Sequence, residues 1–162
     1  TSPTPDRIKE TLFTMLQPHL SGALFVDLFS GSGGIGIEAL SRGARHAYFV
    51  ENDKKALACI LENLQFTRLS DQATVLKTDV LSALYGIHEK EADMIFMDPP
   101  YGCGHERRAL AVLRELSWVT QDSLIVIETS LQSDLSWLEE LGFSLEKEKR
   151  YKTNCHLFCR KN

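Results

Sequence analysis

Apolar residues recur in this chain in two alternating rhythms. Short unbroken runs (Ala23-Leu24-Phe25-Val26, Ala47-Tyr48-Phe49-Val50 and Met94-Ile95-Phe96-Met97) read as strands buried on both faces. Between them lie stretches with apolar residues at helical spacing. Ile8, Leu12, Phe13, Met15 and Leu16 predict a first helix that ends at Pro18, with Thr4 as its cap and Pro5 at its first position. Ala56, Leu57, Ile60, Leu61 and Leu64 mark one face of a helix that starts at Asp53. Further helices are expected over residues 34–41, 80–88, 105–116 and 131–141, and further strands over 23–28, 47–51, 73–77, 92–97 and 123–128. The tail, 143–160, reads as two strands joined around Lys152-Thr153-Asn154.

Strands alternating with helices predict a doubly wound α/β fold. Its seven-stranded sheet should be mostly parallel, with one antiparallel strand supplied by the C-terminal hairpin. The 162 residues, 43% hydrophobic and 25% charged, suit one soluble domain. No apolar stretch has the length of a membrane helix, and no signal peptide is visible. Cys59, Cys103, Cys155 and Cys159 form no C-x-x-C pair, and the histidines form no ligand pair. We therefore expect reduced thiols, no metal and a cytoplasmic protein. The chain starts without Met, as a trimmed or processed form would. The net charge of −4 argues against nonspecific nucleic-acid binding by the whole surface. It leaves room for a local basic patch from Arg7 and Lys9, or from Arg107 and Arg108, which are candidate phosphate contacts.

Candidate chemistry gathers where strands end. Asp98-Pro99-Pro100-Tyr101 follows the run 94–97. Prolines fix φ and lack N–H groups, so their carbonyls are free to accept. Asp98 adds another acceptor, and Tyr101 offers a stacking face for a planar base. Such a corner suits the exocyclic amine of a nucleobase. His105, just beyond it, reads as a substrate contact rather than a metal ligand. Upstream, Asp27-Leu28-Phe29-Ser30-Gly31-Ser32-Gly33-Gly34-Ile35-Gly36 carries a G-x-G-x-x-G between a predicted strand and a predicted helix, a pattern shared by several nucleotide-binding folds. Glu51 and Asn52 end the next strand, and Asp79 and Val80 follow the one after.

Asp27, Glu51, Asp79 and Asp98 thus close four successive strands on one rim. Asp79 taken alone is equally a helix cap. Taken together, they fit a cofactor with a ribose and an adenine: Glu51 for the ribose hydroxyls, Asp79 for the adenine amine, and Asp27 for the loop or an ammonium group. An acid at Asp27 favours an aminoacyl cofactor over a pyrophosphate, hence S-adenosylmethionine over a nicotinamide dinucleotide. Ser30, Gly31, Ser32, Gly33 and Gly36 would form the cradle beneath it.

These two motifs resemble the class I S-adenosylmethionine-dependent amino-methyltransferases, whose fold is Rossmann-like. Two longer segments narrow the likeness: Thr4-Pro5-Asp6-Arg7-Ile8-Lys9-Glu10-Thr11-Leu12-Phe13, and Gly31 through Ala44 in the order Gly-Ser-Gly-Gly-Ile-Gly-Ile-Glu-Ala-Leu-Ser-Arg-Gly-Ala. Both resemble the RsmD family of bacterial 16S rRNA guanine-N2 methyltransferases, over nearly the whole chain. The resemblance implies methylation of a guanine N2 amine in 16S rRNA, free or in the small ribosomal subunit. It further implies that Glu51 and Asp79 hold the cofactor's ribose and adenine. Asp98, the Pro99 carbonyl and Tyr101 would hold the target base, with Thr4 and Arg7 near cofactor or substrate. The chain departs from the family in lacking the basic hairpin that usually precedes the Thr4 region. It also carries Tyr151-Lys152-Thr153 where the family tends to have Tyr-Gly before Thr.

Three rivals share some of these features. An adenine-N6 or cytosine-N4 DNA methyltransferase would use a similar motif, but this chain has no room for the usual target-recognition domain. A nicotinamide-dependent oxidoreductase leaves Pro99-Pro100 unexplained. A non-catalytic RNA-binding or assembly module has no use for Asp98 and Glu51.

Overall fold

The computed structural model describes residues 4–100 and 102–162. Seven strands form one sheet in the order β3-β2-β1-β4-β5-β7-β6. They are β1 (Leu24–Leu28), β2 (His46–Val50), β3 (Ala73–Leu76), β4 (Met94–Met97), β5 (Leu124–Ser130), β6 (Phe143–Arg150) and β7 (Asn154–Lys161). β1 through β5 pair in parallel, while β7 runs antiparallel to both β5 and β6. β7 is thus the one strand running against the rest, as the hairpin pattern predicts. The strand order reverses between β1 and β4, which opens a crevice at their carboxyl ends, the usual ligand position in such sheets.

Among the described residues, six α-helices cover the two faces: α1 (Asp6–Leu16), α2 (Gly34–Ser41), α3 (Lys54–Phe66), α4 (Val80–Gly86), α5 (His105–Leu113) and α6 (Ser136–Glu140). Side chains alternate across the sheet, so Phe25, Phe49, Phe96, Val126 and Phe158 pack against α1, α2 and α3. Leu24, Val26, Ile95, Ile127 and Leu157 pack against α4, α5 and α6. No helix among the described residues is long and apolar enough to cross a membrane.

Local chemistry moves several expected boundaries. Thr4 does not cap α1: Pro5, at φ −56° and ψ 144°, occupies the cap position, and no side chain bonds the first turn. The expected helix 131–141 shrinks to Ser136–Glu140, where the Asp134 side chain takes a backbone N–H at its start and a side-chain contact ties Gln132 to Trp137. Asp134 accepts from Ser136 N at 2.9 Å, and Gln132 Oε1 accepts from Trp137 Nε1 at 3.0 Å. Leu61, expected on the buried face of α3, is exposed, leaving Ile60 and Leu64 to make the contact. Cys155 and Cys159 lie on β7, buried and free, and Cys59 and Cys103 are exposed and free.

Gly36 fixes the seating of α2 on the sheet. A Cβ there would lie 2.4 Å from Phe49 Cε2 and 2.7 Å from Cζ, and that ring is fully buried. Gly36→Ala should therefore cost about 1–3 kcal/mol by overpacking. In a thermal melt that is a midpoint roughly 2–12 °C lower. An unchanged midpoint would mean that the ring moves aside freely.

Candidate active site at the carboxyl rim of the sheet

The loop after β1 carries most of the strain in the site. Phe29 takes a left-handed φ of 59°, rare for an aromatic residue, and Gly31 (57°) and Gly33 (82°) follow it. Serine and glutamate side chains hold the loop there. Ser30 Oγ donates to the Asp27 carbonyl at 2.6 Å and accepts from Val50 N at 3.0 Å. Glu51 Oε1 accepts from Gly31 N at 2.8 Å, and its Oε2 accepts from Asp53 N at 3.0 Å. Glu51 is thus a brace between the ends of β1 and β2 as well as a candidate ligand for ribose. Its replacement by alanine should loosen the glycine loop and raise the dissociation constant for an adenosyl ligand. Loss of one charge-assisted contact is worth about 1.5–3 kcal/mol, or roughly 10–150-fold. An unchanged constant by calorimetry would place the ribose elsewhere.

A cavity of about 830 Å³ opens beside this loop. Glu51 and Asn52 line it from the end of β2, and Asp79 and Val80 from the start of α4. Asp98 and Pro100 line it from the corner after β4, and His105 and Arg108 from α5. A smaller cleft of about 210 Å³ adjoins it, between the glycine loop and the start of α1, where Thr4, Asp6, Lys9 and Asp27 meet. Phe29, Gly31, Ser32 and Asp98 line both spaces.

The carboxylates differ in environment. Asp27 is buried within β1, one residue short of its end, and accepts from Gly36 N at 3.2 Å at the start of α2. Burial, more than the opposing hydrogen bond, pushes its carboxyl up to about 8, with the charges of Asp98 and Glu51 adding to the rise. Asp98 is raised to about 7, first by burial and then by the charge of Glu128. Asp79 is held low by its bonds to Ser82, at 2.8 Å to the backbone N and 2.9 Å to Oγ. It caps α4 and is also a lining residue of the larger cavity, so the capping reading holds. Near neutrality Asp27 is mostly protonated and Asp98 partly so, and a cation entering beside them would draw protons off.

The remaining expected site residues fall as follows. Ser30 lines the smaller cleft and Ser32 both spaces. Gly33 and Gly36 line neither; they shape the loop and pack beneath it, since the space by Gly36 is filled by Phe49. Pro99 is buried behind Pro100. Tyr101 lies outside the described residues. Arg7 is exposed on α1 and lines neither space. Arg108 donates to His105 Nδ1 at 3.2 Å, whereas Arg107 turns away and stacks over the Trp137 ring, 4.9 Å from its centroid. Phe29 was not expected. It stands edge-on to His105, centroids 5.6 Å apart, and shapes the junction of the two spaces. No sequence signal marks it beyond its place in the loop. Among the described residues, no group of three or more His, Cys, Asp or Glu side chains is arranged to hold a metal ion.

Comparison with known proteins agrees with this geometry. A family model described as Conserved hypothetical protein 95 matches residues 1–159. Ribosomal RNA small subunit methyltransferase D of Haemophilus influenzae is 36% identical over 149 residues, covering 91% of this chain and 76% of its own. The protein of the same name in Escherichia coli is 33% identical over 147 residues, covering 91% and 73%. The solved structure of yhhF from Escherichia coli superposes with a TM-score of 0.83 at 28% identity, covering all of this chain and 89% of that one. With its glycine loop, its Asp98-Pro99-Pro100 corner and its β7 reversal in the expected places, this chain belongs to the Conserved hypothetical protein 95 family, the RsmD family, and has the class I methyltransferase fold.

Proposed function

We propose that the chain is a single S-adenosylmethionine-dependent methyltransferase domain that acts on the exocyclic N2 amine of a guanine in 16S rRNA, free or in the small ribosomal subunit. The observation that carries this reading is the position of Asp98 at the junction of two adjoining spaces walled by carboxylates. The names of the family's ribosomal RNA relatives supply the substrate class. Activity on rRNA would place the protein in the cytoplasm.

The chain's residues divide the work. Glu51 would accept from ribose hydroxyls, and Asp79 and Val80 would border the adenine. Asp27 and Lys9, on opposite walls of the smaller cleft, supply opposite charges for an ammonium and a carboxylate at the aminoacyl end. When bound, S-adenosylmethionine supplies an electrophilic methyl group on a cationic sulfur. A nicotinamide dinucleotide would instead bring two phosphate charges to a wall of acids.

The guanine N2 lone pair is delocalised into the ring. Hydrogen bonds from its N–H groups to Asp98 and to the Pro99 carbonyl would favour a pyramidal nitrogen with its lone pair free to attack. Methylation makes that nitrogen acidic, and Asp98 accepts the proton that leaves. Alignment supplies most of the acceleration, ~7–11 kcal/mol for well-placed partners. The base must leave its stack, at a cost of roughly a few kcal/mol. Stacking on the ring of Tyr101, the residue that completes the motif, would return ~1–3 kcal/mol. Arg108 and His105, which line the larger cavity, are the side chains best placed to meet RNA phosphate, and Arg107, Thr4 and Arg7 are further contacts.

The test is transfer of labelled methyl groups to unmodified small ribosomal subunits, free 16S rRNA and duplex DNA in parallel. Label in the RNA-containing samples alone supports the reading. Label in DNA alone would favour a DNA amino-methyltransferase. No label anywhere, with S-adenosylmethionine binding measured separately, would favour a non-catalytic module.

A further inference from the structure

Two buried ionisable side chains beside the site have no part in the scheme above. Glu128 and His156 face each other across β5 and β7 as register partners. Both are buried, and His156 Nε2 lies 2.7 Å from Glu128 Oε1. The Tyr151 hydroxyl lies 3.4 Å from the other imidazole nitrogen, Nδ1, and the two rings meet edge to face at 5.2 Å. With the Tyr151 hydroxyl as donor to Nδ1, the ring turns its Nε2–H toward Glu128. Glu128 Oε1 accepts from that N–H. The rings of Phe96 and Phe158 stand edge-on to the imidazole, at 6.2 and 6.5 Å. A buried pair of this kind adds little to stability on average, and well-packed apolar residues would often serve as well or better.

The register shows what the pair is next to. Met97 of β4 pairs with Ile127 of β5, so the following residues, Asp98 and Glu128, are neighbours across adjoining parallel strands. Such strands lie ~4.8 Å apart, and register neighbours point to the same face. Asp98 and Glu128 therefore lie on the face that carries Phe96 and Val126, beneath α1 and α2. Neither Glu128 nor His156 lines either of the two spaces.

We propose that Glu128, held by His156 and Tyr151, is a positioning residue that acts through Asp98: its fixed charge on the neighbouring strand keeps Asp98 a competent proton acceptor. This rests on the reading of Asp98 as the acceptor for the target amine. A carboxylate that ionises too easily accepts a proton poorly, and a buried negative neighbour raises its proton affinity. The other charged or titratable groups that line the same spaces as Asp98 are Asp27 from β1, Glu51 and Asp53 after β2, Lys55 and Cys59 from α3, Asp79 before α4, Asp6 and Lys9 from α1, and His105 and Arg108 from α5. Unlike the acids among these, Glu128 is locked by a buried partner on the strand beyond. The direction of the Asp98 shift, raised by burial and then by Glu128, agrees with this arrangement.

Glu128→Gln removes the charge and keeps the shape. Carboxyl-carbon NMR of Asp98 in the ligand-free protein should show its titration midpoint lowered by ~0.5–1 pH unit. The acid limb of the methyl-transfer pH profile should move the same way. Glu128→Asp, which retains the charge, should restore most of both. Tyr151→Phe, on the hairpin, is the second variant should Glu128→Gln fail to fold. It removes one of the two contacts that hold the imidazole against Glu128 and keeps the ring, so it should lower the Asp98 midpoint in the same direction by a smaller amount. An Asp98 midpoint unchanged in folded Glu128→Gln overturns the proposal without touching the proposed activity. A midpoint that moves while the acid limb stays put overturns it on the other ground, that Asp98 is not the acceptor.

Discussion

Replacing Asp98 by alanine is expected to lower methyl transfer by ~10²–10⁴-fold, the usual worth of a positioned proton acceptor, or below detection. S-adenosylmethionine binding should stay nearly intact. Two features of the site separate these effects. With its carboxyl raised to about 7, Asp98 is only partly charged near neutrality, so its removal takes little attraction from a cationic ligand. Its removal also relieves Asp27, whose own carboxyl is raised in part by the Asp98 charge. Asp27 then ionises more readily and offsets the loss. The check is calorimetric titration with S-adenosylmethionine beside a turnover assay on the same preparation. A folded Asp98→Ala protein that has lost cofactor binding would move Asp98 from the amine to the cofactor.

The second large effect concerns Asp27, where stability and binding should move in opposite directions. Its carboxyl is raised from 3.8 to about 8 in the folded protein, with burial the main cause. The folded state therefore holds a proton that the unfolded state has released over this range. Stability falls as pH rises from about 4 to about 8, and the full penalty is present above 8. Asp27→Asn removes the titrating group, and its side-chain oxygen can still accept from Gly36 N. The variant should be more stable than the parent at pH 8 and above, by an amount of order 1–3 kcal/mol, which is roughly 2–12 °C in melting midpoint. That gain should vanish toward pH 4.

Binding goes the other way. A cationic ligand favours an ionised Asp27, so parent affinity should rise with pH up to about 8, the range set by that carboxyl. Below that range it should fall by up to about tenfold per pH unit. In Asp27→Asn the affinity should be lower and its pH dependence flatter. An Asp27→Asn protein that binds equally tightly, with equal sensitivity to pH, would show that the ammonium end of the cofactor does not rest on Asp27.

The frame of the molecule was legible because buried parallel strands leave unbroken apolar runs, and 23–26, 47–50 and 94–97 are such runs. Their ends were legible because each is followed within three residues by an acid, or, in β1, carries one at its penultimate position. The antiparallel place of β7 followed from the turn at Lys152-Thr153. Harder to read was anything decided by local side-chain bonding, such as the shortened α6 with its Gln132 and Asp134 contacts. The double duty of Asp79 was readable only as two alternatives, since a cap and a cavity wall carry the same residue in the same place. Phe29 gave no signal because a left-handed φ leaves no trace in the identity of a phenylalanine. The Glu128–His156 pair was invisible for another reason: its members are 28 residues apart, and only the insertion of β7 beside β5 makes them neighbours.

The central claim is that this site methylates a guanine N2 amine in small-subunit ribosomal RNA. The most direct measurement is nucleoside analysis, by mass spectrometry after complete digestion, of unmodified 16S rRNA and small subunits incubated with the protein and S-adenosylmethionine. N2-methylguanosine as the one new nucleoside, absent with Asp98→Ala, is the predicted result. Methylated adenosine or cytidine, or a methylguanosine modified on a ring nitrogen, would contradict it.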